Sequence, residues 1–168
     1  EKKYEIALFG SAAGNRKQYI DKLKKHYGDR FWHLGGIEHS TQNAKLTMHQ
    51  YAEAIRASKI VINTQTYPFR EQCKGKVRET LACGVLLLEE DNCQTRLLLD
   101  DNEGVVYFKD FDDLVEKINV LIADAAKRIK IERNGQRVWR DLGSQEKWAN
   151  AILQKIYNNS NDKDKDEV

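Results

Sequence analysis

The stretch that decides the predicted fold is Glu71-Gln-Cys-Lys-Gly-Lys-Val-Arg-Glu-Thr-Leu-Ala-Cys-Gly-Val-Leu-Leu-Leu88. It reads as a loop, a short helix over Lys74–Cys83 and a buried strand over Val85–Glu89. Gly84 stands just past the helix end, where glycine is common because it adopts the conformation that ends a helix. A short, continuously apolar strand is typical of a parallel sheet that is covered on both faces.

The rest of the chain alternates in the same way between short apolar strands and helices. Strands are predicted over Tyr4–Gly10, Arg30–Leu34, Lys59–Asn63 and Gly104–Phe108, and helices over Asn15–His26, Met48–Ala57 and Gln94–Leu99. Beyond the last strand the pattern is helical, with one apolar stripe of Leu114, Ile118, Leu121 and Ile122 and a second of Trp148, Ala149, Ile152, Leu153 and Ile156. We therefore predict an α/β fold, a Rossmann-like parallel sheet with helices on both faces over residues 1–157, followed by a disordered polar tail over residues 158–168.

Size and composition fit one ordinary globular domain. The chain has 168 residues, of which 40% are hydrophobic and 32% are charged. The net charge of +2 does not indicate a nucleic-acid or membrane partner, and no apolar run approaches the ~18–20 residues of a transmembrane helix. Cys73, Cys83 and Cys93 match neither a disulfide framework nor a metal site. We expect them to be free thiols in a cytoplasmic protein.

Ligands of parallel α/β sheets bind at the carboxyl ends of the strands, where the connecting loops gather. The loops that follow predicted strands here are residues 11–16, 64–73 and 89–94. Functional side chains are therefore expected in these loops and at the helix that follows the second of them.

The helix over Lys74–Cys83 carries the best candidates. Glu79 lies away from the apolar face of the helix, and a carboxylate there suits the adjacent hydroxyls of a ribose. The amino end of the helix suits a diphosphate, because Gly75 allows close approach and Lys74 and Lys76 add positive charge. A nucleotide sugar has both groups. The alternative is an exposed ion pair between Lys76 and Glu79.

Two other segments leave alternatives open. Glu71, in the loop before that helix, either bonds a sugar hydroxyl or is an ordinary solvated acid. After the first strand, Gly10 opens a turn that contains Ser11, with Asn15 as a natural N-cap and Arg16 at the start of the next helix. This turn is either an anion site or a plain strand-to-helix connection.

Several segments together resemble the carboxyl-terminal half of GT-B glycosyltransferases. Residues 49–63, 74–89, 104–110 and 112–138 occur in the same order there, and Phe9-Gly-Ser-x4-Arg16 is similar to the opening motif. The nearest resemblance is to the CgeB-like, or glycosyltransferase group 1-like, group. It extends to about Tyr157, and its most specific part is Arg78-Glu-Thr-Leu-Ala-Cys-Gly84.

The resemblance implies a domain that binds a nucleotide-diphospho-sugar donor. Glu79 would accept hydrogen bonds from the ribose hydroxyls, Lys76 would contact the diphosphate at a position where the group usually has Arg, and Arg16 would add positive charge. Glu71, as the first acid of a Glu-x7-Glu pattern, would face the donor sugar as the catalytic residue. The donor-binding candidates are thus Glu79, Lys76, Arg16, Gly75, Lys74 and Ser11.

The resemblance also implies a hexosyltransferase-like enzyme, and the Glu-x7-Glu pattern favours retention of anomeric configuration. No metal cofactor is expected, because positive side chains neutralise the diphosphate. The implied partners are the donor, an unknown acceptor and an amino-terminal Rossmann-like domain of the same enzyme. We expect the isolated domain to transfer sugar poorly, since the cleft that excludes water needs both domains.

A non-catalytic reading stays open beside this one. Gln72 and Cys73 stand where the group usually has a Phe-Gly pair after the first acid. A degenerate nucleotide-sugar fold that serves as an interaction or sensor module would tolerate such a change. A receiver-type signalling domain is disfavoured, because it needs paired acids after the first strand.

Overall fold

The computed structural model describes residues 2–35, 46–67, 69–142, 146, 149–150 and 152–154. The predicted parallel sheet is confirmed and has five strands in the order β2-β1-β3-β4-β5. All four strand pairs are parallel. The strands are β1 (Tyr4–Phe9), β2 (Phe31–Leu34), β3 (Ser58–Asn63), β4 (Leu86–Glu90) and β5 (Val105–Phe108).

The helices lie at the predicted places, within a few residues at each end. They are α1 (Asn15–Tyr27), α2 (Met48–Arg56), α3 (Gly75–Ala82), α4 (Cys93–Arg96), α5 (Phe111–Ala123) and α6 (Ala125–Leu142). The start of α2 is fixed by a capping box, in which the side chains of Thr47 and Gln50 each bond the other's backbone N–H. α3 ends before Gly84, which has a positive φ of 67° as the sequence predicted.

Two apolar clusters cover the two faces of the sheet. Alternate residues of β1 point to opposite sides, so Ile6 and Leu8 pack with α1 and α5, and Ala7 and Phe9 pack with α2 and α3. The strands are therefore apolar throughout, because each face is buried. The prediction of helices on both faces is confirmed.

The strand order creates a switch point in the middle of the sheet. The chain runs from β1 to β2 in one direction, and β3, β4 and β5 then follow on the other side of β1. The carboxyl ends of β1 and β3 are consequently neighbours, although the chain continues from them to opposite sides of the sheet. Open α/β sheets bind their ligands at such a point.

The predicted N-cap of α1 is wrong. Gly14 is the N-cap, with a φ of 54°. Asn15 is the first residue of the helix, and its side chain makes no capping hydrogen bond. The backbone N–H of Asn15 instead donates to the carbonyl oxygen of Thr66 at 2.9 Å. A β-carbon at Gly14 would lie only 2.1 Å from that oxygen, so the close approach of the two loops requires glycine.

The end of the chain is described only in part. Ile152 and Leu153, from the second predicted stripe, are 38% and 48% exposed. Trp148, Ile156 and the predicted tail over residues 158–168 lie outside the described residues. None of the helices in the described part of the chain combines the length and the apolar composition that a membrane span requires.

Candidate functional site

Three basic side chains meet at the switch point, and we call them the cation cluster: Arg16, Lys74 and Lys76. Lys74 Nζ donates to the carbonyl oxygen of Thr64 at 2.7 Å and to the Oγ1 atom of Thr66 at 2.9 Å. Arg16 Nη2 donates to the same carbonyl at 3.1 Å. Arg16 on α1, Lys76 on α3 and Lys74 just before α3 thus gather over the carboxyl ends of β1 and β3.

Lys76 completes the cluster above the end of β1. A β-carbon placed at Gly10 would lie 2.9 Å from Lys76 Nζ and 3.1 Å from Arg16 Nη1, so both nitrogens flank this glycine. Lys76 makes no hydrogen bond with any described residue, whereas Arg16 is almost fully buried, with 5% of its surface exposed. Lys76 is therefore the cation of the cluster whose ammonium group donates to none of the described residues.

The cation cluster lacks direct counter-charges. No carboxylate among the described residues lies within 4.0 Å of its nitrogens. Burial, and then the nearby Arg16 guanidinium, lower the pKa of both Lys74 and Lys76 to about 8. Burial also lowers the pKa of Arg16. A bound anion would relieve this repulsion.

Glu79 lies on α3, one turn after Lys76, but the two form no ion pair. The Glu79 Oε2 atom accepts a hydrogen bond of 2.8 Å from the hydroxyl of Tyr51 on α2. Its Oε1 atom would lie 3.1 Å from a β-carbon at Gly75, so it sits close over the amino end of α3. The exposed Lys76–Glu79 pair, which was the alternative from the sequence, is not formed.

Glu71 has a different environment. It is exposed, and its Oε2 atom accepts a hydrogen bond of 2.8 Å from the backbone N–H of Cys93, the first residue of α4. A hydrogen bond with the Cys93 thiol, and then this backbone hydrogen bond, lower the pKa of Glu71. No hydrogen bond or ion pair among the described residues joins Glu71 to the cation cluster. The carboxylate therefore ties the 64–74 loop to α4, and its catalytic role stays a prediction.

Ser11 contributes through its backbone. The residue is exposed, and its carbonyl oxygen accepts a bond of 3.4 Å from Arg16 Nη1. Arg16 also donates from Nε to the Oγ1 atom of Thr64 at 3.3 Å. Arg16 thereby holds the loops after β1 and β3 together. Three of its five N–H donors are used inside the protein, and its predicted role in donor binding stays a prediction.

A buried polar network beneath the site was missed by sequence reasoning. The Glu89 side chain, at the end of β4, is fully buried and accepts bonds from Asn63 at 2.8 Å and from Asn92 at 3.0 Å. Burial raises the pKa of Glu89 to about 8, against the opposing effect of these donors. Gln65 joins the network and bonds both backbone groups of Gln72, at 3.1 and 3.2 Å.

The network holds the loop that carries Lys74. Its signal in the sequence is the set of polar residues that directly follow the apolar strands β3 and β4. Tyr51 was also missed, because it lies on the apolar stripe of α2 and reads as an ordinary core residue. Only its hydroxyl distinguishes it from a purely packing side chain.

The chain was compared with known proteins. The family model described as Glycosyl transferase-like matches residues 4–154. No curated protein matches the sequence. Among solved structures, HepE from Anabaena in complex with UDP has a TM-score of 0.66 at 18% identity, covering 92% of this chain and 41% of that chain. HepE has also been solved in complex with UDP-glucose.

Two further structures have the same fold. Sucrose-phosphate synthase from Thermosynechococcus elongatus has a TM-score of 0.65 at 18% identity, covering 94% of this chain and 46% of that chain. The C-terminal domain of the glycosyl transferase group 1 family protein LpcC from Francisella tularensis has a TM-score of 0.58 at 17% identity, covering 81% and 84%. The chain thus spans less than half of HepE and of the synthase.

The fold is that of the carboxyl-terminal half of a GT-B glycosyltransferase, as the resemblance implied. The narrower CgeB-like assignment stays a prediction. Because the matched residues 4–154 include the whole sheet and the helices that cover it, the chain belongs to the glycosyl transferase-like family.

Proposed function

We propose that this chain is the donor-binding domain of a glycosyltransferase that uses a nucleotide-diphospho-sugar. The observation that carries the proposal is the cation cluster, which lies at the switch point without a carboxylate partner among the described residues, next to Glu79 on α3. HepE, which shares the fold, was solved with UDP and with UDP-glucose. The two halves of such a ligand match the two kinds of side chain.

The diphosphate would bind between the cation cluster and the amino end of α3. Lys76 offers ammonium donors that bond none of the described residues, and Lys74 adds positive charge from the loop before α3. The buried Arg16 guanidinium adds to the positive electrostatic potential of the site. Positive charge placed in advance stabilises the nucleoside diphosphate as it departs from the sugar. We propose that these side chains do this without a metal ion.

Glu79 would accept hydrogen bonds from the ribose hydroxyls, because its Oε1 atom has no donor among the described residues. Glu71 would face the donor sugar, and transfer would proceed with retention of configuration. Within the described residues, the hydrogen bond from the Cys93 backbone N–H goes to Oε2 of Glu71, which leaves Oε1 for this role.

A second Rossmann-like domain would complete the cleft. The chain covers only 41% of HepE and 46% of sucrose-phosphate synthase, which supports a two-domain enzyme. The acceptor would bind between the domains, and the single domain would transfer sugar poorly. A cytoplasmic location is proposed as well, supported by three unpaired cysteines.

Calorimetric titration of UDP-glucose, ADP-glucose and GDP-mannose into the chain tests the donor site. At least one should bind, and Lys76→Met should weaken its binding about tenfold or more, because a charge-assisted contact is lost. Lys130→Met removes an exposed lysine from α6 and is the matched control, which should bind like the wild type. Absence of binding by all three would favour the non-catalytic module, whereas equal binding by wild type and Lys76→Met would show that Lys76 does not contact the donor.

A further inference from the structure

We propose that Tyr51 is a positioning residue that holds Glu79 ready for the ribose and thereby makes the site selective for ribonucleotides. This inference rests on the proposed function, because it concerns the same donor site. It adds a residue that lies on another helix and that neither the family match nor the sequence indicates. Its basis is the contact between Tyr51 and Glu79.

Tyr51 is fixed by packing. It is 4% exposed on α2, and its ring meets the ring of Phe9 edge to face, with the ring centroids 5.3 Å apart. From this position its hydroxyl reaches the Oε2 atom of Glu79 at 2.8 Å. A buried tyrosine has little freedom, so the carboxylate that it bonds is held in one orientation.

The Tyr51–Glu79 hydrogen bond leaves the Oε1 atom of the carboxylate for a ligand. An ionised carboxylate only accepts hydrogen bonds, and each oxygen can take two. Oε2 uses one site on Tyr51, and Oε1 has no donor among the described residues. Oε1 sits over Gly75, at the helix end where the diphosphate is expected. The carboxylate is thus presented next to the phosphate site, where a ribose attached to the diphosphate would lie.

Tyr51 also prevents a competing contact. Glu79 and Lys76 are three residues apart on α3, a spacing at which opposite charges commonly pair. The structure shows no such pair within 4.0 Å between these described residues, because the carboxylate is held towards α2. If Glu79 paired with Lys76, the ribose site and the phosphate site would neutralise each other.

The Tyr51 hydroxyl remains a hydrogen-bond donor at physiological pH. Burial, and then the neighbouring Glu79 carboxylate, raise the pKa of Tyr51 far above neutral pH. Tyr51 therefore keeps its proton and donates to Glu79 throughout the physiological range. Phenylalanine at this position would keep the packing and lose only the donor.

The test compares UDP, 2′-deoxy-UDP and 3′-deoxy-UDP by calorimetry in the wild type and in Tyr51→Phe. The wild type should bind UDP about tenfold or more tightly than at least one deoxy form, since a hydrogen bond to a charged group is lost. In Tyr51→Phe the ratio of the affinity for UDP to the affinity for that deoxy form should fall to about twofold or less. The affinity for inorganic pyrophosphate should fall less than the affinity for UDP in this variant, because the nitrogens of the cation cluster are unchanged and only the ribose contact is lost directly.

Glu79→Gln gives the second arm, which completes a double-mutant cycle. In that background, adding Tyr51→Phe should change the ratio little, because the two residues act through one contact. If Tyr51→Phe keeps the wild-type ratio, the inference is wrong while the donor site stands. If it loses affinity for UDP and for pyrophosphate equally, Tyr51 only supports the fold and the inference is wrong. If the wild type binds neither UDP nor pyrophosphate, both proposals fail.

Discussion

Raising the pH from 7 to 9 tests whether Lys74 and Lys76 bind the diphosphate as ammonium groups. Both have a pKa of about 8 in the unliganded protein. The protonated form attracts the anion, so affinity must fall as the pH rises through 8. A lysine with this pKa is about 90% protonated at pH 7 and about 10% protonated at pH 9.

The size of the effect follows from these fractions. If binding requires one of these lysines to be protonated, its loss of the proton should weaken binding about tenfold between pH 7 and pH 9, which is about 1.4 kcal/mol. With both lysines the loss approaches about a hundredfold. Lys76→Arg places a guanidinium at the same position, and its charge does not titrate below pH 12. The variant should therefore lose about tenfold less affinity than the wild type over the same range.

Calorimetry with UDP in buffers of different ionisation enthalpy gives a second reading. At pH 8 each free lysine is about half protonated, so binding should take up about one proton in the wild type and about half a proton in Lys76→Arg. Ionisation of UDP itself cancels in this comparison, because both proteins bind the same ligand. Equal pH profiles and equal proton uptake would refute the assignment of Lys76 to the diphosphate.

Two glycine substitutions test other contacts. In Gly75→Ala the new β-carbon would lie 3.1 Å from the Oε1 atom of Glu79 and push the carboxylate aside. UDP should then bind about fivefold more weakly, while the melting temperature does not fall, since alanine favours a helix; unchanged affinity would show that this oxygen does not bind the ligand. In Gly104→Ala the β-carbon would meet the backbone of α6 at 2.2 Å, whereas a β-carbon at Gly28, which also has a positive φ, would have no atom of the described residues within 4 Å. Urea unfolding should show that Gly104→Ala lowers the free energy of unfolding by about 1–3 kcal/mol more than Gly28→Ala, and equal losses would mean that only backbone strain matters.

The candidate site was predictable only in its composition. Lys74, Lys76 and Glu79 lie within six residues of each other, and the helix that carries them follows from local pattern. Their closeness to Arg16 depends on the strand order, which brings the loops after β1 and β3 together. The burial of Arg16 was not predictable, because a charged residue at a helix start usually lies in solvent.

The sequence by itself determined the secondary structure and the sheet class, because strand and helix periodicity, the glycine after α3 and uninterrupted apolar strands act over a few residues. Only the tertiary structure decided the partners of the functional side chains. The Tyr51–Glu79 bond joins residues 28 positions apart, and the Arg16–Thr64 bond joins residues 48 positions apart. Such contacts depend on how helices and loops pack on the sheet, and the spacing of residues along the chain carries no record of that packing.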